Sequence, residues 1–148
     1  MLANTSSRAV GVGRVLILVY GILALAATGR SVFQIIDRLA EAPLAFSISG
    51  LSAIVYIVAT IALLLPGRVW YRIAWLTIGF ELLGVLVVGT VSVVSPAALG
   101  LTSVNPFGRD STVWSAYGLG YLLIPLVLPI LGMAWLRRRS PAAAPEAG

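Results

Sequence analysis

Glu81 is a carboxylate set in an otherwise apolar run, Thr77 Ile78 Gly79 Phe80 Glu81 Leu82 Leu83 Gly84 Val85, with no cation near it on the same helical face. An acid placed there can carry a proton, pair with a cation, or accept hydrogen bonds that hold neighbouring helices in register. Its partners have to come from other segments. Counting from the segment ends at about 1.5 Å per residue brings Tyr20 and Tyr56 to the depth of Glu81, with Tyr121 slightly farther out. Two tyrosine hydroxyls would satisfy the carboxyl without a cation. Arg30 falls about two turns farther out on the same count, and its long side chain reaches part of the way inward. Glu81, Tyr56, Tyr20, Tyr121 and Arg30 therefore form the candidate buried polar or proton site.

Two effects compete over the protonation of Glu81. Loss of water favours the uncharged form of a carboxyl, whereas an ion pair with Arg30 would favour the charged one. With the only candidate cation displaced outward, Glu81 is expected to be a neutral or readily protonated acid. Such a group serves either a proton-coupled site or a structural hydrogen bond, and the sequence supports both uses.

The elements that must position these residues are set by composition. Of the 148 residues 59% are hydrophobic and only 10% charged, with a mean hydropathy of +1.02, so the implied solvent is a bilayer rather than water. A chain this short supplies one helical bundle and short connections, a single domain over 1–148. The absence of Cys and His removes disulfides, thiolate nucleophiles, imidazole haem ligation and the usual zinc and copper sites. No metal or other cofactor is expected. The net charge of +5 is carried by arginines spread over segment ends, which argues against a nucleic-acid partner.

Four segments are near the roughly 20 residues needed to cross about 30 Å of hydrocarbon. They run over about 11–33, 44–65, 69–94 and 113–136, which predicts an all-α, four-transmembrane-helix bundle. Pro66 Gly67 stops the second, Ser95 Pro96 follows the third, and Asp110 Ser111 Thr112 offers caps before the fourth. The apolar pattern of the first continues past Ala24 Leu25 Ala26 through Val32, Phe33, Ile35 and Ile36, so it is read as a span and not as a cleaved leader. Helical spacing through Leu39 allows that helix to persist toward Pro43, projecting from the outer surface or bending near Gly29. Met1 to Ser7 and Ser140 to Gly148 are expected to be disordered tails.

Orientation follows from the arginines, because cytoplasmic loops retain positive charge. Arg8, Arg14, Arg68, Arg72 and Arg137 to Arg139 share one side, whereas Arg30, Arg38 and Arg109 are offset by Asp37, Glu41 and Asp110 on the other. Both termini are expected in the cytoplasm of a multi-pass plasma-membrane protein. Trp70, Tyr71 and Trp135 fall near the inner boundary and Phe33, Phe46 and Trp114 near the outer one, where interfacial anchoring is the expected role.

Each span carries a stripe of small or polar residues suited to face its sister helices. The stripes are Gly13, Tyr20, Ala24, Ala27, Ser31 and Gln34; Ser49, Ser52, Ala53, Tyr56, Ala59 and Thr60; Thr77, Glu81, Gly84, Val88 and Ser92; and Tyr117, Tyr121, Pro125 and Gly132. Pro125 and Pro129 are expected to kink the fourth helix.

Tyr20 Gly21, the run Ile54 to Ala62, the stretch Gly79 to Gly89 and the proline-containing fourth span together resemble the small, uncharacterised four-span integral membrane proteins of high-GC Gram-positive bacteria. That resemblance covers most of residues 10–136 and carries over no activity. Small multidrug exporters are similar in size, but their essential acid lies in the first helix, where this chain has none within the span. The expected function is a non-enzymatic accessory or structural subunit of a membrane assembly, in contact with the lipid bilayer and with other membrane proteins or further copies of itself. The alternative is a small oligomeric proton-coupled transporter using Glu81.

Overall fold

The computed structural model describes residues 2–99 and 112–138, with side chains from Gly11 onward. Every regular element among the described residues is helical: α1 (Leu2–Arg38), α2 (Pro43–Leu64), α3 (Arg68–Val94), a short 3-10 turn (Pro96–Leu99), a second one (Ser115–Tyr121), and α4 (Ile124–Arg138). The chain is a helical membrane bundle. Residues 11–38 of α1, together with α2 and α3, are long and apolar enough to cross a bilayer. The 22 residues of α2 alone reach about 33 Å.

Helix boundaries follow local chemistry. Pro43 occupies the first turn of α2, where its missing N–H costs no hydrogen bond. Leu65 is extended, Pro66 cannot continue the helix, and Gly67 turns the chain at φ +109°, a conformation that side-chain-bearing residues avoid. Its carbonyl then accepts from Tyr71 N at 3.0 Å as α3 starts. At the other end of α3 the chain leaves at Ser95, before Pro96. Helix α1 stops at Arg38, and a turn at 39–42 delivers the chain to α2, so the helix does not persist to Pro43. It already starts at Leu2, inside the segment expected as a tail. Arg109, Asp110, Ser111, Arg139 and the tail expected from Ser140 lie outside the described residues.

The fourth segment differs from the continuous helix expected over 113–136. The turn Ser115–Tyr121 and α4 meet at 96°, and α4 by itself has 15 residues, about 22 Å, short of a full crossing. A fourth crossing exists only if the bent pair counts as one broken span. The break sits N-terminal to both prolines. Ala116, Tyr117, Gly118, Leu122 and Leu123 all adopt positive φ, which costs roughly 1–2 kcal/mol per residue with a side chain. Surrounding contacts hold them there. Ala116 N donates to Ser92 Oγ at 2.7 Å, Leu123 N donates to the Gly118 carbonyl at 3.0 Å, and Gly118 lies so close to Pro125 that a Cβ would meet its ring at 2.7 Å. Pro129 is accommodated inside α4.

Packing follows the small-residue stripes. All six stripe residues of α1 are buried, as are all but Thr60 on α2; on α3 Glu81, Val88 and Ser92 are buried, and Thr77 and Gly84 are partly so. Helix α1 lies along α2, α2 along α3, and α3 against both halves of the broken segment. Gly13 of α1 lies under the Trp135 ring of α4, and Tyr71 Oη donates to the Leu136 carbonyl at 2.9 Å, so the arginine-bearing ends of α1, α3 and α4 meet. The opposite faces expose Leu, Ile and Val, including Leu25 at 78%, Ile36 at 75%, Leu76 at 73% and Val94 at 77%. Those are lipid-facing surfaces by composition, because water would penalise so continuous an apolar area.

Candidate functional site

Tyr20, Tyr56 and Glu81 come from three different helices, and each is fully buried. The Tyr20 hydroxyl donates to Glu81 Oε2 at 2.7 Å. This length fits a bond to a carboxyl oxygen in a water-free setting. The Tyr56 hydroxyl stands beside the same carboxyl, and the two phenol rings face each other at 6.3 Å with a tilt of 47°. Among the described residues Glu81 Oε1 has no hydrogen-bond partner in ordinary geometry. Half of the carboxyl is therefore fastened and half is not.

The next link is Trp114. Its indole Nε1 donates to Tyr56 Oη at 2.9 Å. Since an indole N–H only donates, Tyr56 Oη is the acceptor there and keeps its own proton for another group. Glu81 is the acceptor that stands next to it. The result is two buried hydrogen-bonded pairs, Tyr20–Glu81 joining α1 to α3 and Trp114–Tyr56 joining the segment before α4 to α2, with the Tyr56 hydroxyl beside the Glu81 carboxyl.

Gly84, one turn along α3 from Glu81, makes room for that indole. A Cβ at this position would stand 2.6 Å from the Trp114 ring. Trp114 also meets Phe80 edge-on at 6.5 Å, and it is almost entirely buried. The expectation of an interfacial anchor at Trp114 is overturned. The turn around it is what carries it inward: Thr112 and Ser115 hydrogen-bond to each other, and Trp114 N donates to Thr112 Oγ1 at 3.1 Å. Phe46 is likewise fully buried, with the Arg38 guanidinium 6.0 Å above its ring, whereas Phe33 is exposed.

The remaining two candidate residues are brought together with each other and not with the carboxyl. Arg30 Nη1 donates to Tyr121 Oη at 3.5 Å, a long bond farther toward the end of the bundle that holds Arg38 and Glu41. Arg38 and Glu41 form an ion pair at that end. Glu81 has no ion pair among the described residues. Its environment is neutral donors and apolar side chains, with Ile78 and Val85 fully buried one turn to either side.

Chemically, the cluster offers one acid that can hold a proton and two phenol hydroxyls, one of which donates a hydrogen bond to it. Among the described residues no group of three or more His, Cys, Asp or Glu side chains gathers at metal-binding spacing. The sequence signal for Trp114 was Gly84 itself, a small residue on the same helix face as Glu81, which marks a place where something bulky approaches. No family model, no curated protein and no solved structure matches this chain.

Proposed function

We propose that this membrane protein is a non-enzymatic accessory or structural subunit of a membrane assembly, and that Glu81 serves as a fastener within it. One observation carries the reading: the buried polar side chains at the centre of the bundle are used to join helices, with Tyr20 bonded to Glu81 at 2.7 Å and Trp114 to Tyr56 at 2.9 Å. A protein built this way presents rigid apolar faces to its surroundings and keeps its chemistry inside. The connections between α1 and α2 and between α2 and α3 are short and hold no cluster of catalytic groups. Purification of the full chain in mild native detergent is expected to bring down a defined membrane-protein partner in fixed ratio. Recovery of the chain solely as a homo-oligomer would reject the accessory role.

A second reading rests on Glu81 Oε1, which is buried and lacks a hydrogen bond among the described residues. An acid with one oxygen held and one open suits a group that takes up and releases a proton, as in a small oligomeric transporter. In this case reconstituted vesicles should show proton flux that disappears in Glu81→Gln while the variant still folds. Equal flux in the two proteins would reject it.

A further inference from the structure

At the end of the bundle where Gly13, Tyr71, Trp135 and Leu136 meet, α1, α3 and α4 present Arg14, Arg72, Arg137 and Arg138, all exposed. No acidic side chain accompanies them there among the described residues, since Asp37 and Glu41 lie at the other end and Glu81 is buried between the two. Three of these arginines, one on each helix, also stand at the head of an exposed apolar stripe. Arg14 precedes Leu18 and Leu25 on α1, Arg72 precedes Leu76, Phe80 and Leu83 on α3, and Arg138 follows Val127 and Leu131 on α4, all at helical spacing and all exposed. The surface thus repeats one pattern three times: a guanidinium above a strip of hydrocarbon about 11 residues, or 16 Å, long.

We infer that this end of the bundle binds anionic phospholipid, with the arginines on the phosphate and headgroup and the stripes along the acyl chains. Guanidinium recognises phosphate through paired N–H donors and carries less tightly bound water than an ammonium, so it suits a phosphate at the edge of hydrocarbon. A free anion would use only the upper half of the pattern. The lipid uses both, which is why the phospholipid is the occupant chosen. Trp70, Tyr71 and Trp135 are partly buried at the same level and supply the amphipathic rings that border a headgroup region.

Those tryptophans provide the readout. The full chain is reconstituted in phosphatidylcholine vesicles containing a small fraction of brominated phosphatidylglycerol or, in parallel, brominated phosphatidylcholine, and tryptophan quenching is followed. Brominated phosphatidylglycerol is expected to quench at several-fold lower mole fraction than the phosphatidylcholine form. Each of Arg14→Gln, Arg72→Gln and Arg138→Gln should weaken that preference by about twofold, and the triple variant should abolish it. These side chains are exposed, so single variants are expected to fold, and they carry the test if the triple does not. Equal quenching by the two lipids, or a preference that survives in the single and triple variants, would overturn the inference. Displacement of the lipid by millimolar inorganic phosphate would also overturn it, because the site would then be an anion site and not a lipid site.

Discussion

Replacing Tyr20 with Phe keeps the ring that fills the space between α1 and α3 and removes only the hydroxyl that donates to Glu81 Oε2 at 2.7 Å. Because Oε1 already lacks a partner among the described residues, the variant leaves a fully buried carboxyl with only the neighbouring Tyr56 hydroxyl beside it. In a soluble core, stranding such a group costs about 1–3 kcal/mol. In a bilayer the reference state also finds partners, and interhelical bonds average about 0.6 and reach about 1.7 kcal/mol. The absence of competing water here and the short bond place Tyr20→Phe near the upper value, about 1.5 kcal/mol destabilising. A cycle with Glu81→Leu separates the bond from its surroundings. Glu81→Leu alone strands the Tyr20 hydroxyl, whereas the double variant removes both polar groups and is expected to recover part of the loss, giving a coupling of about 1–2 kcal/mol. Recovery is partial because Tyr56 then loses its neighbouring acceptor. Reversible unfolding of the full chain in mixed micelles of graded denaturing detergent measures all four proteins. Additive losses, with coupling below about 0.3 kcal/mol, would refute the claim that this bond fastens α1 to α3.

Three further outcomes follow from the same packing. Glu81→Lys should lower stability by about 3–5 kcal/mol or prevent folding, since it buries a cation among donors, while Glu81→Gln retains an acceptor for Tyr20 and should cost less than about 1.5 kcal/mol, both read by thermal denaturation in detergent. Gly84→Val should lose about 1–3 kcal/mol and shift the near-ultraviolet signal of Trp114, because even its Cβ meets the indole at 2.6 Å; an unchanged spectrum would argue against that seat. Gly118→Ala should lose more than 1 kcal/mol, at about the upper end for a left-handed position, since φ is +82° and Pro125 lies 2.7 Å from the added carbon, whereas Gly29→Ala meets nothing within 4 Å and should be neutral or mildly stabilising in the same unfolding assay.

The first three helices were legible because their signals are local or periodic. Pro66 Gly67 and Ser95 Pro96 punctuate the chain by backbone geometry, and the stripes on α1 and α2 alternate with leucine and isoleucine at helical spacing. The pairing of Tyr20 with Glu81 was within reach of depth counting, since both lie on straight helices with clear ends. That counting failed for the fourth segment. A continuous helix from Val113 would have put Trp114 at the outer boundary, but the left-handed residues at 116–118 and 122–123 fold that stretch back into the bundle. Only Gly118 and Gly120 ahead of Pro125 hint at this, and a glycine does not disclose the sign of its φ. Of the two prolines only Pro125 marks the break, which falls in the turn just before it, whereas Pro129 sits within α4. Arg30 and Tyr121 illustrate the same point from the other side, for their meeting depends on where the broken segment ends.

The folded-back stretch has a consequence for how the molecule is made. Its seat is built by others: Tyr56 on α2 supplies the acceptor for Trp114, and Gly84, Gly89 and Ser92 on α3 form the wall that receives Trp114, Tyr117 and Ala116 N. None of this exists until the second and third helices lie side by side. A nascent chain that has released residues through Leu99 therefore leaves that wall naked in the membrane, with Ser92 and the small-residue groove turned toward lipid. Helix α4, whose Gly132 closes over Tyr20 and Ile78, comes later still. Synthesis halted between those two events should yield a species that insertion chaperones hold and membrane proteases recognise, and residues 112–138 act as the latch that ends its vulnerability.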